Sequence, residues 1–370
     1  MIIPNVPFYI GAMDVPSNPA GIPNSLDFYV ECDIQTGLIR QKTNSTTLKI
    51  LNRVYELGNS LGNPLSEEPL AKPYSDDFLT FIGTKFQNGV HKLRALDVGA
   101  GFGYLTEQLR KAGFSAIGLE PGAQYSNREV QYDVEIVQDF FPSPRVDGKF
   151  DLICAYMVLE HIGNPQQFLR DILLQLTEYG IAVIAVPNCS EEISLGDPSI
   201  LLHEHISYFD EWSLKALCQQ LDVDFEIAAS NYGRSLYLTI QKTKARPLPL
   251  VAPNTEQSYA YLMKVQRNIV RVRDTLHEMS KVGTLGIFCP ARALHYITAL
   301  SEMRLFDDAV DQHGKFIPPF TSPIESRSNL LDQPVDQLVV MSRTFGNGIK
   351  ESLRSSGYDG TILLITDLLV

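Results

Sequence analysis

The sequence predicts an α/β protein with two Rossmann-like sheets, a seven-stranded one in the middle of the chain and a smaller one at the C-terminus. The first observation is the stretch LRALDVGAGFGYLTEQLRKAGFSAIGLE at 93–120, in which a strand, a glycine-rich loop, an amphipathic helix and a second strand follow one another. The second is that strand and helix patterns alternate from residue 93 to residue 242, as one sheet requires. The third is a shorter alternation over 283–370.

The glycine-rich loop has the spacing G-x-G-x-G, formed by Gly99, Gly101 and Gly103. Glycine lets the backbone turn sharply and lie flat against a ligand. A dinucleotide fingerprint requires a later glycine, whereas Tyr104 follows here, so a nicotinamide site is disfavoured. Glu120 ends the next strand, where a carboxylate can accept both hydroxyls of a ribose. Loop and carboxylate together resemble the nucleoside pocket of class I S-adenosylmethionine-dependent methyltransferases, the alternative being a glycine-rich turn without a ligand.

Further cofactor contacts are expected where the neighbouring strands end. Asp139 is placed to accept a hydrogen bond from the adenine amino group, with the Phe140 amide near a ring nitrogen, although Asp139 as a simple turn cap is the alternative. The Ala155 carbonyl is placed to hold the cofactor's ammonium group. The residues predicted to contact S-adenosylmethionine are Asp97, Gly99, Ala100, Gly101, Gly103, Glu120, Asp139, Phe140 and Ala155.

Composition narrows the class of protein and of partner. The chain has 370 residues, of which 44% are hydrophobic and 20% charged, as in an ordinary globular protein. Its net charge of −12 disfavours a nucleic-acid partner, because no basic excess is present to displace counterions. The five cysteines form no C-x-x-C pair, so neither a disulfide framework nor a zinc cluster is predicted. No stretch reaches membrane-spanning length, and a cytoplasmic location is expected.

The predicted domains follow one another along the chain. They are a β-rich N-terminal module (1–45), a helical lid (46–90), the main α/β domain (91–245), a linking helix (255–281) and a small C-terminal Rossmann-like domain (282–370). The predicted main-sheet strands are RALDVGA, SAIGLEP, VEIVQD, FDLICAYM, IAVIAVPN, FEIAAS and SLYLTIQK. The last two form an antiparallel hairpin, the feature that separates methyltransferases from dehydrogenases. For the lid helices, a purely structural cap is an equal alternative.

The linking helix carries an apolar seam at heptad spacing, formed by Leu262, Val265, Ile269, Val272, Leu276 and Met279. We expect this seam to dock on the chain itself, and a homodimer through the helix is the alternative. The C-terminal elements are predicted as strand TLGIF, helix ARALHYITALSEM, strands FDDAVDQ and QLVVMS, helix GIKESLRSS and strand GTILLITDLL.

Histidines cluster in segments that border the predicted cleft. His161 lies in MVLEHIGNP after the fourth strand, and His203, Glu204 and His205 lie in LLHEHISYF after the fifth. Histidine is the natural general base near neutral pH, and a carboxylate can fix its tautomer. A metal held by His203, Glu204 and His205 is a weak alternative because no distant third ligand accompanies the H-x-H pair. No metal is therefore predicted, and any one of these histidines can instead be structural.

From about residue 30 to its end, the chain resembles the nucleotide-sugar C-methyltransferases of deoxysugar biosynthesis. The resemblance rests on the cofactor loop, the LEHI turn, the HEHISYF segment and the VDQHGKFIPPFTSPI stretch. It implies a sugar nucleotide bound between the main and C-terminal domains, a base that removes a proton next to a ketone, and attack of the enolate on the sulfonium methyl. It also implies acid/base roles for His161, Glu204 and His205.

Three positions depart from the family pattern. Leu202 stands where a tyrosine commonly precedes H-E-H. The zinc module's C-x-x-C-G-L run is replaced by DIQTGL, from Asp33 to Leu38, which predicts a zinc-module shape without its cysteines. The glycine-rich turn of the C-terminal sheet is replaced by CPARAL, where Arg292 is the candidate compensating charge for a pyrophosphate.

We therefore expect an S-adenosylmethionine-dependent methyltransferase of a small molecule, with His205 or His161 as base and Glu204 as the orienting partner. The first expectation for the acceptor is a keto sugar methylated on carbon, with or without a nucleotide. Methylation on oxygen or nitrogen of a related acceptor is the second, and a cofactor-binding pseudoenzyme the third.

Overall fold

The fold is taken from a computed structural model, which describes residues 1–57, 65–69, 71–86, 89–122, 132–221, 223–244, 252–298, 300 and 302–369. The strands are β1 (Ile2–Pro7), β2 (Ser25–Cys32), β3 (Ile39–Gln41), β4 (Arg94–Val98), β5 (Ser115–Leu119), β6 (Ile136–Val137), β7 (Phe150–Tyr156), β8 (Leu176–Pro187), β9 (Ser207–Tyr208), β10 (Val223–Ala229), β11 (Ser235–Lys244), β12 (Leu285–Phe288), β13 (Arg304–Phe306), β14 (Ile324–Glu325), β15 (Gln337–Val340) and β16 (Thr361–Leu364). The helices are α1 (Ser45–Leu57), α2 (Lys72–Thr84), α3 (Tyr104–Lys111), α4 (Pro165–Gln175), α5 (Ser190–Leu195), α6 (Glu211–Gln219), α7 (Thr255–Val282), α8 (Leu294–Ile297), α9 (Arg327–Asp332), α10 (Gly346–Ser355) and α11 (Ile365–Leu368).

The chain divides into two compact units, each assembled from separate stretches of sequence. The first unit comprises residues 1–31, 191–203 and 256–370, and the second comprises residues 32–190 and 204–255. The predicted N-terminal module of residues 1–45 is therefore shared between the two units. None of the helices in the described part of the chain combines the length and the apolar character that a membrane span requires.

The second unit contains the predicted seven-stranded sheet, in the order β10-β11-β8-β7-β4-β5-β6. Strands β4 to β8 run parallel to one another, whereas β11 is antiparallel to both β8 and β10. All seven predicted strands and the antiparallel hairpin are thus confirmed. The antiparallel β3–β9 pair also lies in this unit.

Successive side chains of a strand point to opposite faces of the sheet, and both faces of this sheet are buried. In β4, Leu96 and Val98 join one apolar cluster, while Ala95 joins a second cluster that includes residues of α2 and α3. Local signals set the helix starts: Pro165 opens α4, and the Asn164 side chain accepts a hydrogen bond from the Gln167 amide at 3.0 Å.

The first unit contains a five-stranded parallel sheet in the order β14-β13-β12-β15-β16, together with the antiparallel β1–β2 pair. Chain order therefore reverses between β12 and β15, as in a doubly wound fold. The predicted strand FDDAVDQ is wrong: β13 ends at Phe306, Asp307 accepts the Ala309 amide at 3.0 Å, and a short 3₁₀ helix follows. An aspartate that binds the amide two residues on makes a turn rather than a strand. The helix predicted after β12 is also much shorter, covering Leu294–Ile297 as α8.

Helix α7 buries its predicted seam within its own unit. Val265, Ile269, Val272, Leu276 and Met279 are buried, with Tyr261 in place of the half-buried Leu262. Polar contacts fix the same face, since the Tyr261 hydroxyl donates to the Asp197 carbonyl at 3.1 Å and the Asn268 amide to the Gly196 carbonyl at 2.9 Å. The chain itself therefore covers this seam.

Candidate functional site

The glycine-rich loop leaves the carboxyl end of β4 in a backbone conformation that favours glycine. Gly99, Gly101 and Gly103 have φ values of +76°, +53° and +87°. A Cβ atom on Gly99 would lie 2.5 Å from Cγ2 of Val158, and one on Gly103 would lie 2.5 Å from Cγ2 of Val134. Both the dihedral angle and the space therefore exclude larger residues at Gly99 and Gly103.

Glu120 is held against this loop by main-chain amides. The Gly101 amide donates to Oε2 of Glu120 at 3.0 Å, and the Gly122 amide donates to Oε1 at 2.9 Å. Burial raises the pKa of the Glu120 carboxyl, and the two amides oppose that rise. Each carboxylate oxygen has a second lone pair, so the side chain can still accept the two hydroxyls of a ribose.

Asp97 lies inside β4, just before the loop, and is almost completely buried. The Thr106 hydroxyl at the start of α3 donates to its Oδ2 at 2.8 Å. Burial raises the pKa of Asp97 to about 7, the Thr106 hydrogen bond opposes the shift, and the nearby Glu120 charge adds to it. The strand end therefore offers a carboxyl group that gains its charge near neutral pH, a suitable neighbour for a cationic ligand.

Asp139 and Phe140 form a tight turn beyond β6. Oδ1 of Asp139 accepts the Phe140 amide at 2.8 Å, and Oδ2 accepts the Ser143 hydroxyl at 2.7 Å. These hydrogen bonds hold the pKa of the Asp139 carboxyl below its usual range. The turn-cap alternative thus describes the geometry of Asp139, and its contact with an adenine stays a prediction.

Ala155 lies near the carboxyl end of β7, paired with Val98 of β4 and Ile184 of β8. Two residues later Met157 has a φ of +55°, and its amide donates to the Ala185 carbonyl at 2.9 Å. A positive φ is uncommon for a residue with a side chain. This turn places Val158 against Gly99. The strain at Met157 has no signature in the sequence.

His161 is held in one tautomer by a main-chain carbonyl. Its Nδ1 lies 2.8 Å from the Glu204 carbonyl oxygen, which can only accept, so Nδ1 carries the proton in the neutral ring. The Tyr55 hydroxyl of α1 lies 3.0 Å from the same Nδ1 and donates to the Glu204 carbonyl at 3.2 Å. The lone pair of the neutral imidazole is therefore on Nε2, where a base can use it.

Two further side chains lie beside this nitrogen. Oε1 of Glu160 is 3.9 Å from Nε2 of His161, and the His161 and His205 ring centroids are 4.9 Å apart, edge to face. One donor atom from each of these three residues lies within 4.8 Å of the others, close enough to share one divalent cation. Within the described residues, Oε2 of Glu160 and Oε1 of Glu204 are buried without a hydrogen-bond partner.

Burial disfavours charge on the titratable side chains around His161. Burial lowers the pKa of His161 to about 4 and raises those of Glu160 and Glu204 to about 8. Burial also raises the pKa of Tyr55, with the Glu204 and Glu160 charges adding to the rise. The site thus combines a neutral imidazole base with neutral groups that can donate hydrogen bonds.

The structure places the predicted His161 and His205 side by side, and the predicted Glu204 contacts His161 through its main-chain carbonyl. It places His203 differently, in the first unit, where its ring stacks on Phe8 at 4.8 Å between centroids. His203 is therefore a core residue, and the predicted alternative of a metal held by His203, Glu204 and His205 is wrong in its ligand set.

Sequence reasoning gave no role to Tyr55 and Glu160, which complete the cluster. Tyr55 was part of a helical pattern without a distinguishing signal. Glu160 is adjacent to His161 in the chain, and this adjacency is the signal that could have found it.

Residues 68–227 match a family model described as a methyltransferase domain. Among similar proteins, the ubiquinone biosynthesis O-methyltransferase of Rickettsia akari is 26% identical over 114 residues, which cover 29% of this chain and 45% of that protein. The enzyme of the same name from Bradyrhizobium diazoefficiens is 29% identical over 120 residues, and the match covers 28% of this chain and 46% of that enzyme. The chain thus spans about half the length of these curated relatives.

Solved structures with a related arrangement include the DhpI-SAM-HEP complex, at a TM-score of 0.40 and 17% identity, covering 54% of this chain and all of that one. An S-adenosylmethionine-dependent methyltransferase from Clostridium acetobutylicum has a TM-score of 0.36 and 11% identity, covering 45% of this chain and 91% of its own. With the sheet order, the glycine loop and the Glu120 carboxylate, the family match over residues 68–227 identifies a class I, S-adenosylmethionine-dependent methyltransferase domain in this chain.

Proposed function

We propose that this protein methylates a small molecule on carbon, with a keto sugar as the acceptor and His161 as the base. The observation that carries the proposal is the His161 hydrogen bond to the Glu204 carbonyl, which leaves the Nε2 lone pair available. Burial raises the pKa of the Glu204 carboxyl to about 8, and a protonated carboxyl can stabilise an enolate oxygen. The family resemblance supports the sugar.

In the proposed reaction, Nε2 of His161 takes the proton on the carbon next to the acceptor's ketone. The C–H electron pair becomes the enolate, whose oxygen accepts a hydrogen bond from the Glu204 carboxyl. S-adenosylmethionine, when bound, supplies a methyl group on a positively charged sulfur, and S-adenosylhomocysteine leaves. A positioned base typically contributes about 10²–10⁴-fold in rate, and orientation of the two reactants about 7–11 kcal/mol.

The edge of the C-terminal sheet bears on whether the acceptor carries a nucleotide. In the C-terminal sheet the residue after β12 is Cys289, with a φ of +60°, in place of a glycine. After β15, Nη2 of Arg343 already binds Glu192 at 2.6 Å and its Nε binds Asp197 at 3.2 Å. Arg292 is exposed and is the cation left to meet a phosphate in the CPARAL segment.

The second candidate is methylation of a hydroxyl oxygen. It is favoured by the names of the similar proteins, which are ubiquinone biosynthesis O-methyltransferases. A hydroxyl acceptor needs the His161 base and has no need of the uncharged acids around it. A pseudoenzyme, the third candidate, would bind the cofactor and release no S-adenosylhomocysteine with any acceptor.

The decisive experiment is proton exchange in D₂O without cofactor, using a panel of keto sugars with and without a linked nucleotide. Enolisation by the wild type replaces the hydrogen on the carbon next to the ketone with deuterium, and we expect His161→Asn to lower this rate by about 10²-fold or more. His277→Asn changes an exposed histidine of α7 and is the matched control. Methyl transfer to a hydroxyl without such exchange would support the oxygen candidate, and S-adenosylhomocysteine binding by His161→Asn would show that the cofactor site is intact.

A further inference from the structure

Glu160 is a buried carboxyl group to which the mechanism above gives no role. It lies in the 3₁₀ helix Leu159–His161 and is 1% exposed. Its main-chain carbonyl accepts the Ile206 amide at 2.7 Å, which fixes the backbone next to His161. Its side chain directs Oε1 to within 3.9 Å of the His161 Nε2 lone pair.

Within the described part of the chain, one carboxyl oxygen of Glu160 is buried without a hydrogen bond that would account for a polar residue at this position. The titratable groups near it are Tyr55 of α1, Tyr156 at the end of β7, and His161, Glu204 and His205 of the cluster. Its Oε2 has no hydrogen-bond partner among the described residues. A buried polar group without a partner lowers stability, and an apolar residue of similar size is usually better tolerated. A functional reason for the carboxyl is therefore expected.

The one group beside Glu160 that gains a positive charge in the proposed reaction is His161. When Nε2 takes a proton it becomes an imidazolium in a buried site, which is costly unless an opposite charge is close. Oε1 of Glu160 is the carboxyl oxygen nearest to that nitrogen in the described contacts. The two side chains are adjacent in sequence, so the 3₁₀ turn itself sets their separation.

We propose that Glu160 is a positioning residue whose carboxylate stabilises the imidazolium formed when His161 takes a proton from the acceptor. The proposal rests on the proposed role of His161 as base. The step starts from molecules in which Glu160 has released its proton to solvent: the acceptor's C–H bond breaks, an N–H bond forms at Nε2, and the pair changes from neutral imidazole and carboxylate to imidazolium and carboxylate. The ionised form of Glu160 is the competent one, and the imidazolium beside it favours that form. The proton leaves Nε2 for solvent after methyl transfer.

The test compares Glu160→Gln, which keeps the shape and removes the charge, with Glu160→Asp, which keeps the charge on a shorter side chain. Glu226→Gln removes an exposed carboxylate of β10 and is the matched control. For each variant, kcat, KM, cofactor-free proton exchange, the Kd of S-adenosylhomocysteine and the melting temperature are measured, all in the presence of EDTA.

We expect Glu160→Gln to lower kcat and the exchange rate by about 10²-fold, with KM and the S-adenosylhomocysteine Kd within about 2-fold of wild type. Glu160→Asp should recover at least about a tenth of the wild-type kcat, and Glu160→Gln should melt no lower than the wild type because it removes an unpaired buried carboxyl. A merely structural role would instead lower the melting temperature and weaken S-adenosylhomocysteine binding.

The proposal is overturned if Glu160→Gln keeps kcat within about 3-fold of wild type while His161→Asn loses about 10²-fold. It is also overturned if EDTA abolishes wild-type activity and a divalent cation restores it, because Glu160 would then be a metal ligand. If His161→Asn itself keeps its kcat, the proposed function fails at its base, which is a different result from the Glu160 outcome. If the true acceptor proves to be a hydroxyl, the kcat comparison tests the same charge pairing without the exchange assay.

Discussion

In the seven-stranded sheet and in the five-stranded sheet, the parallel strands end in a crevice of the same topological type. The side chains at the two crevices differ. In the seven-stranded sheet, Gly99 follows β4 and the buried Glu160 and Glu204 retain carboxyl oxygens that lack partners among the described residues. In the five-stranded sheet, Cys289 follows β12 and Arg343 follows β15, where it pairs with three carboxylates of its own unit.

The difference shows that the strand order creates a crevice and that the side chains at the crevice determine whether a ligand can bind there. At the first edge, missing side chains leave space, and neutral polar groups keep hydrogen-bonding capacity for a ligand. At the second edge, Glu192 and Asp197 lie where an anionic ligand would place its charge on Arg343. The first edge is arranged to bind, and the second is held together by ion pairs.

The largest expected effect comes from removing Arg343. Its side chain is 8% exposed, and its partners Glu192 and Asp197 are 13% and 2% exposed, so Arg343→Met leaves two carboxylates without their cation. We expect the free energy of unfolding of the first unit to fall by about 3–5 kcal/mol, as for other buried pairs that lose one partner. Urea denaturation followed by hydrogen exchange in β12 and β15 measures it.

Arg327→Met is the matched control for this substitution. Arg327 also makes a two-point contact with a carboxylate, Asp308, at 2.6 Å and 3.0 Å, but that carboxylate is 50% exposed. We expect its loss to cost less than about 1 kcal/mol. Equal losses for the two arginine variants would contradict the view that the Arg343 cluster is the buried, stabilising one.

The next largest expected effect is on cofactor binding at the glycine-rich loop of the seven-stranded sheet. Gly99→Ala places a Cβ 2.5 Å from Cγ2 of Val158 at a φ of +76°, so the loop must shift. We expect the Kd of S-adenosylhomocysteine, measured by calorimetry, to rise about 10–100-fold, since the backbone must approach the ligand closely there.

Gly314→Ala provides the control in the first unit, because Gly314 has a nearly identical φ of +78° and open space around its Cα. We expect Gly314→Ala to lower the free energy of unfolding by about 1–2 kcal/mol because of the left-handed conformation alone. The Kd of S-adenosylhomocysteine should stay unchanged. Unchanged cofactor binding in Gly99→Ala would show that the loop is not the cofactor site.

A smaller effect concerns pH and Asp97, whose pKa burial raises to about 7. S-adenosylmethionine is cationic at its sulfonium and ammonium groups, so its binding favours the ionised carboxyl. We expect its Kd to fall by about 5–10-fold between pH 6 and pH 8, as Asp97 loses its proton. In the protein without ligand, the raised pKa of Asp97 makes folding less favourable as pH rises. Between pH 4 and pH 7 the native state holds a proton that the unfolded chain has released, so the free energy of unfolding falls over this range.

Two asparagine variants isolate this titration. Asp97→Asn should bind more weakly and lose the pH dependence. Asp139→Asn should keep it, because hydrogen bonds hold the pKa of the Asp139 carboxyl below its usual range and the group is already ionised at pH 6. An unchanged slope in Asp97→Asn would assign the titration to another group.

How much of the structure can be predicted from the sequence differs between the two sheets. The seven strands, the hairpin and the glycine loop follow from local patterns, namely apolar runs of strand length, turn residues and glycine spacing. His161, Glu204 and His205 were found because they lie beside strand ends. Tyr55 was missed because a long-range contact across 106 residues of sequence, rather than a local signal, brings its hydroxyl to His161.

The C-terminal sheet was less predictable for a related reason. The run from Phe306 to Gln312 is predicted as a strand, but Asp307 closes a turn instead. The Arg343 cluster depends on pairing across 151 residues of sequence with Glu192, which no periodicity records. The left-handed conformations of Met157 and Cys289 are likewise set by their surroundings, since neither residue type favours them.

The smallest expected effect separates geometry from burial within the Arg343 cluster. Glu191 contacts Nη2 of Arg343 at 3.1 Å, yet its side chain is 63% exposed. Water therefore screens this pair, and we expect Glu191→Gln to change the free energy of unfolding by less than about 0.5 kcal/mol. Glu192→Gln, at 2.6 Å and 13% exposed, should cost more because its partner's charge is poorly solvated. If denaturation gave equal costs for the two glutamate variants, burial would not determine the strength of these pairs, and the contrast between a closed and an open sheet edge would lose its electrostatic basis.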